Sequence, residues 1–135
     1  MSDAKVFFIC VEQMNLGHAA IINEPEKVLQ VVQMNHSAAS KALKACDFTA
    51  ALGYSTTSLN LLGGQVEHLA DKSILLVMAN AAHACGNNEM ASCAIEAILK
   101  DEASLDETTK LNTYELKITM VSESDLFIAC VYCAF

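Results

Sequence analysis

The sequence predicts an all-α protein made of stacked antiparallel helical hairpins, an α-solenoid of about three repeats behind an N-terminal helix. Three observations carry this. Only one proline, Pro25, and five glycines punctuate 135 residues, and no long run alternates Val, Ile or Thr with polar residues as a half-buried strand would. Apolar residues recur instead at steps of three and four, the spacing of one helix face. A helix–corner–helix pattern then returns after about 40 residues, the signature of a repeat architecture.

The elements follow in order within a single domain, residues 1–135, which we expect to be a fragment of a larger signalling protein. Residues 1–22 form an N-terminal helix, and residues 23–64 form the first hairpin. Asn23, Glu24, Pro25 and Glu26 start its first helix, because proline suits the first turn and acids favour the positive end of the helix dipole. Val28, Val31, Val32, Ala38, Ala39, Ala42 and Ala45 make one face. Asp47 then caps the return helix, which carries Phe48, Ala51, Leu52, Ser55, Leu59 and Leu62 inward and ends at Gly63 and Gly64.

Residues 65–103 form the second hairpin, with Ile74, Leu75, Met78, Ala81 and Ala82 inward. Its corner "ACGNNEMASC" aligns Cys85 with Ala45, Gly86 with Cys46, Asn87 with Asp47 and Ala91 with Ala51. Residues 104–135 form a third, incomplete hairpin that begins with a Ser104–Glu107 capping box. Leu111, Tyr114, Ile118 and Val121 would pack inward, and "SESDLFIAC" would be a third corner, with Ser124, Asp125 and Ala129 at the aligned positions. A small residue at each corner would let two helices approach, and the alanine after it would sit where they touch.

Composition narrows the function classes. The formal charge is −8 and all eight cations are lysine. Without arginine or a basic face, nucleic-acid binding is not expected. The apolar runs fall short of a bilayer span of roughly 20 residues, and "MSDAK" lacks the character of a secretory signal, so a cytoplasmic protein with no membrane association is expected. Cys10, Cys46, Cys85, Cys93, Cys130 and Cys133 are expected to be reduced thiols buried among Ala, Ile and Val.

The corner "CDFTAALGY" resembles a tetratricopeptide-type turn, where Gly-Asp/Asn-aromatic-x-x-Ala is usual. Over roughly residues 6–129, and best over Gln33–Leu62, the chain is similar to the helical repeat region of STAND- or AAA-type predicted ATPases joined to serine/threonine kinase-like and sensor histidine kinase domains. Cys46 stands where that family usually has Gly, and the aromatic start of its second hairpin is replaced by "QVEHLADKSILL". The resemblance implies the scaffold part alone: the chain has neither a phosphate-loop motif nor the kinase signature set.

The chemistry-bearing residues are sparse. His18, His36, His68 and His83 form no metal-ligand spacing. "CVYC", Cys130–Cys133, is a lone C-x-x-C in a helical context. Asp101, Glu102, Asp106 and Glu107 form an acidic cluster, read as a solvated helix start or a docking patch for a basic partner. Asn35, Lys41, Asn80 and His83 are the candidates for a partner groove on the first helices of the hairpins, with structural hydrogen bonding the competing reading for Asn35.

The expected function is a non-catalytic scaffold for protein–protein or interdomain interaction in signal transduction, with no cofactor. Its partner would be a peptide segment or another domain of a signalling ATPase–kinase assembly. A small all-helical enzyme using the acidic cluster and a histidine, or a fragment with no independent activity, is the alternative. The strongly apolar "LFIACVYCAF" predicts self-association through the last helix or a missing continuation.

Overall fold

A computed structural model describes residues 2–63 and 72–134, with the side chains of residues 124–130 and 132–134 outside the description. Among the described residues there are six α-helices: α1 (Asp3–Leu16), α2 (Pro25–Lys44), α3 (Phe48–Leu61), α4 (Ser73–Ala84), α5 (Asn88–Leu99) and α6 (Glu107–Ala134). Each packs chiefly on its neighbours in sequence. The antiparallel pairs α2–α3 and α4–α5 are the most intimate, α3 bridges them by packing on α4, α1 lies on α2, and α6 lies across α5 and α4. No described helix is long and apolar enough to cross a membrane.

The two expected corners form, and they match bond for bond. At the end of α2, the Cys46 N–H donates to the Leu43 carbonyl at 3.0 Å and the Asp47 N–H to the Ala42 carbonyl at 2.9 Å. At the end of α4, Gly86 donates to His83 at 3.0 Å and Asn87 to Ala82 at 2.8 Å. This is the paired closure of a Schellman motif. The next helix starts on the same residue: Asp47 accepts from the Ala50 N–H at 3.2 Å, and Asn87 from Met90 at 3.1 Å. One side chain thus ends its corner in one helix and caps the next. Ala51 and Ala91, one turn on, are fully buried where the helices touch.

The reason for a small corner residue differs from the expected one. A Cβ built on Gly86 meets nothing within 4 Å, so close helix approach does not require its size. What the corner requires is a left-handed backbone, with φ of 80° at Gly86 and 59° at Cys46. Glycine adopts that conformation without penalty and cysteine does not. Gly63, at φ 67°, closes α3 in the same backbone region; Gly64 lies outside the described residues.

Other elements depart from the sequence reading. The N-terminal helix stops at Leu16, and Gly17 leads into a short 3-10 turn, His18–Ala20, rather than a helix to residue 22. Helix α2 starts as expected, with Pro25 in its first turn. Val28 is only half-buried and Ala45 is exposed on the face they were expected to share. The start of α6 is capped by Asp106, which accepts from the Thr109 N–H at 3.2 Å, and not by a Ser104–Glu107 box. Ser104 sits in a second 3-10 turn and donates to the Asp101 carbonyl.

The expected third corner is absent. Helix α6 runs unbroken through Ser124 and Asp125 for 28 residues, about 42 Å at 1.5 Å per residue. Its inward face is also not the expected one. Thr113 and Leu116 are buried, whereas Leu111, Ile118 and Val121 are 68%, 65% and 55% exposed. The cysteines differ as well: Cys10, Cys46, Cys85 and Cys93 are free thiols at the surface rather than in the core.

The core sits in two regions. Between α4, α5 and α6, Leu75, Met78, Ala79, Ala94, Ile95, Ile98 and Leu116 form one apolar cluster. Around the first corner the interior is built of small residues, with Ala42, Ala51 and Ala81 in contact. Deeper in the first hairpin it holds polar groups: Asn35, Ser55 and Ser58 are all at most 1% exposed.

Candidate functional site

Helices α4 and α6 lie side by side and leave an open trough of about 430 Å³ between them. Leu76 and Leu116 line its apolar part, while Asn80, His83, Asn112, Glu115 and Thr119 supply its polar groups. The helix period explains the lining. Leu76, Asn80 and His83 recur at steps of four and three on α4, as do Asn112, Leu116 and Thr119 on α6, with Glu115 three residues after Asn112. The two rows therefore face one another along the trough.

Two of its side chains are held in place. The Asn80 amide donates to the Leu76 carbonyl at 3.0 Å, which leaves its own carbonyl oxygen available as an acceptor. His83 joins three elements: Nδ1 lies 3.1 Å from the Asn88 Oδ1 on α5, and Nε2 lies 3.2 Å from the Glu123 carboxylate on α6. The histidine thus ties the second corner to the long helix at one end of the trough. Asn112 and Glu115 are exposed on the α6 side. The trough can offer hydrogen bonds and a negative charge to an extended segment laid along it.

Of the four groove candidates, the structure brings together Asn80 and His83 and places the other two elsewhere. Asn35 is fully buried and exchanges reciprocal amide bonds with Asn15 of α1, at 2.8 and 2.7 Å, while also donating to the Val31 carbonyl at 2.9 Å. It is the structural hydrogen bonder between helices that was the competing reading for it. Lys41 lies over the Phe7 ring of α1, with its ammonium 4.2 Å from the ring centroid. Both residues serve the α1–α2 contact. Asn112, Glu115 and Thr119 were not singled out from sequence; their i, i+3, i+7 spacing on a helix next to α4 was the available signal.

A second, larger cleft of about 620 Å³ lies at the other end of the molecule. Leu16, Ile22, Val28 and Leu61 wall it, with Glu12, Asn15, His18, Thr57 and Asn60 on its polar side. Most of those polar groups are committed to neighbours. Asn15 holds Asn35, the His18 Nδ1 lies 2.8 Å from the Asn15 carbonyl, and Thr57 donates to the Gly53 carbonyl. The Tyr54 hydroxyl donates to Glu12 at 3.2 Å, and its ring stacks on Phe8 with centroids 5.7 Å apart. Burial, and then the Glu12 carboxylate, push the Tyr54 hydroxyl above the usual tyrosine range.

The remaining chemistry-bearing candidates are dispersed. Glu102 of the acidic cluster faces Lys110 at 3.6 Å, and Asp106 caps α6. That cap holds the Asp106 carboxyl below its ordinary value, chiefly through the Thr109 hydrogen bonds. His36 Nε2 lies 3.1 Å from the Ser73 hydroxyl. His68 and the Cys130–Cys133 thiols lie outside what is described. Among the described residues no three His, Cys, Asp or Glu side chains converge as a metal site.

The chain matches no protein-family model, no curated protein and no solved structure.

Proposed function

We propose that this chain is a non-catalytic helical scaffold that binds an extended segment of another protein in the α4–α6 trough. The observation that supports this reading is the facing of two polar rows, Asn80 and His83 against Asn112, Glu115 and Thr119, across an open channel with Leu76 and Leu116 beneath. Carboxamides on such a channel bind peptide backbone, since each offers one donor and one acceptor matched to an N–H and a C=O. Glu115, with Glu123 at the trough's His83 end and a net charge of −8, favours a segment carrying lysine or arginine. The tetratricopeptide-like corner extends the proposal to a role in a signalling ATPase–kinase assembly; that extension rests on the sequence resemblance alone.

Panning a random peptide display library against the purified protein tests the reading. Enriched peptides should be basic and should bind about tenfold more weakly to the Asn80→Ala and Asn112→Ala variants, the loss of roughly one backbone hydrogen bond at each position. Failure to enrich any peptide, or enriched peptides indifferent to both substitutions, overturns it.

A further inference from the structure

The larger cleft, of about 620 Å³, lies where three helix ends meet. Helix α1 finishes there at Leu16, α3 finishes there at Leu61, and α2 contributes Val28 from its first turn. A recess enclosed by three elements, within the roughly 300–1,000 Å³ of small-molecule sites, suits a compact ligand better than a long chain segment. Its wall is aliphatic. Leu16 and Ile22 are each more than half exposed, and the half-buried Val28 and Leu61 complete it.

The polar side of the cleft offers more acceptors than donors, because its contacts within the chain occupy the donors. Thr57 gives its hydroxyl proton to the Gly53 carbonyl, which leaves its oxygen an acceptor. The His18 Nδ1 faces the Asn15 carbonyl at 2.8 Å. A carbonyl can only accept, so Nδ1 carries the proton and Nε2 of the neutral ring is an acceptor. Asn15 has its amide engaged with Asn35. Glu12 receives the Tyr54 hydroxyl on one oxygen and keeps the other. Among the described residues no lysine pairs with Glu12.

The backbone contributes the same sign of charge. Helices α1 and α3 both bring C-terminal ends to the cleft, and these are the negative ends of their dipoles. Helix α2 brings its positive end, which Glu26 in its first turn offsets. An ammonium group, with three donors and no acceptor, complements this set; a carboxylate would meet like charge.

We propose that this cleft binds a small amphiphilic amine, its ammonium group on the Glu12 carboxylate and its apolar body against Leu16, Ile22, Val28 and Leu61. The site lies at the opposite end of the molecule from the α4–α6 trough and does not depend on it. Affinity comes chiefly from the aliphatic wall, and Glu12 selects the head group. Because Glu12 is exposed, that selection is modest.

NMR titration of the full chain with three fragments that share one apolar body tests the proposal: phenylbutylamine, phenylbutanol and phenylbutyrate. The amine should bind with a dissociation constant of about a millimolar, the affinity expected of a fragment of this size. It should bind about fivefold more tightly than the alcohol, and phenylbutyrate should bind most weakly. The shifted signals should be those of Glu12, Asn15, His18, Thr57 and Asn60, and not those of Asn80 or Asn112, so the result is separable from peptide binding in the trough. Glu12→Gln keeps an acceptor for Tyr54; it should lower the amine to the affinity of the alcohol and leave the alcohol unchanged. Ile22→Ser should weaken amine and alcohol alike, by about fivefold. The proposal is overturned by an amine that shifts nothing at tenfold above the expected constant, or by shifts confined to the trough. It is equally overturned by phenylbutyrate binding as tightly as the amine, or by an amine preference that survives Glu12→Gln.

Discussion

The two hairpins share a backbone and differ in what they bury. Positions about 40 residues apart correspond through both corners: Asp47 with Asn87, Ala51 with Ala91. At three of the matching interior positions the chemistry is inverted. Asn35 matches Leu75, Ser55 matches Ile95, and Ser58 matches Ile98, and all six are buried. Hairpin α2–α3 holds α1 through the amide pair of Asn35 and Asn15, and joins its own two helices through the Ser58 hydroxyl, which donates to the Val32 carbonyl at 3.1 Å. Hairpin α4–α5 holds α6 through non-directional apolar packing of Leu75, Ile95, Ile98 and Leu116. The corner therefore sets the geometry of a hairpin, and the interior residues decide how it joins the next element. A reciprocal amide pair fixes one register for α1, while an apolar face tolerates adjustment.

Exchanging the two chemistries is the strongest way to break this comparison. Leu75→Asn in hairpin α4–α5 loses the burial of a leucine that is 1% exposed and leaves an amide without a designed partner. The expected cost is about 3–5 kcal/mol, read as a lower urea midpoint. The mirror substitution, Asn35→Leu, should cost less, about 1–3 kcal/mol, because it adds apolar area while leaving the Asn15 amide unpaired. If the two costs are equal, or Asn35→Leu is the worse, the polar interior contributes more than orientation and the contrast between the hairpins collapses.

Much of the backbone was legible because its signals are local. Pro25, Asp47, Gly63, Gly86 and Asn87 each act on their own or adjacent turns, and each stands where the sequence placed it. The inward residues of α4 were legible apart from Ala79, since that helix packs along one broad apolar face. Helix α6 was misread twice, for physical reasons. No glycine or proline interrupts residues 107–134, so propagation, which adds a bond per residue, carries the helix through the corner-like "SESD". Periodicity shows that a face is apolar and not which face has a neighbour; on α6, Leu111, Ile118 and Val121 are the residues left exposed. The same gap hid the role of Asn35, whose partner Asn15 lies on another helix. Among the groove candidates only Asn80 and His83 share a trough, because placing their α6 counterparts requires knowing that α6 lies beside α4.

The corners themselves are not equal, and a smaller pair of effects sharpens that point. Gly86 and Cys46 hold the same left-handed conformation, but only Cys46 has a side chain there. Because a Cβ at Gly86 meets no atom within 4 Å, Gly86→Ala isolates the backbone cost, expected at about 1 kcal/mol of destabilisation. Cys46→Gly should move the other way, by about 0.5 kcal/mol, since relief of the left-handed penalty exceeds the added freedom of the unfolded chain. Thermal unfolding of both variants measures this. Two shifts of the same sign would mean that side-chain contacts at the corner, and not its backbone, decide its stability.

The smallest expected effects distinguish two serines one turn apart in the polar interior of the first hairpin. Ser58 and Ser55 are both buried, but they are not equivalent. The Ser58 hydroxyl donates to the Val32 carbonyl on α2, whereas the Ser55 hydroxyl is buried with no hydrogen-bond partner. An unpaired hydroxyl keeps its desolvation cost and returns nothing, so its removal is favourable, and alanine also suits a helix interior better than serine. Ser55→Ala should therefore stabilise the protein by about 0.5 kcal/mol, and Ser58→Ala should destabilise it by about 0.5–1 kcal/mol. Opposite signs from the same chemical change, one helical turn apart, would locate the polar linkage of α3 to α2 at Ser58. Destabilisation by both would show that the Ser55 hydroxyl is hydrogen-bonded in solution, and the inverted interior of this hairpin would then be satisfied throughout.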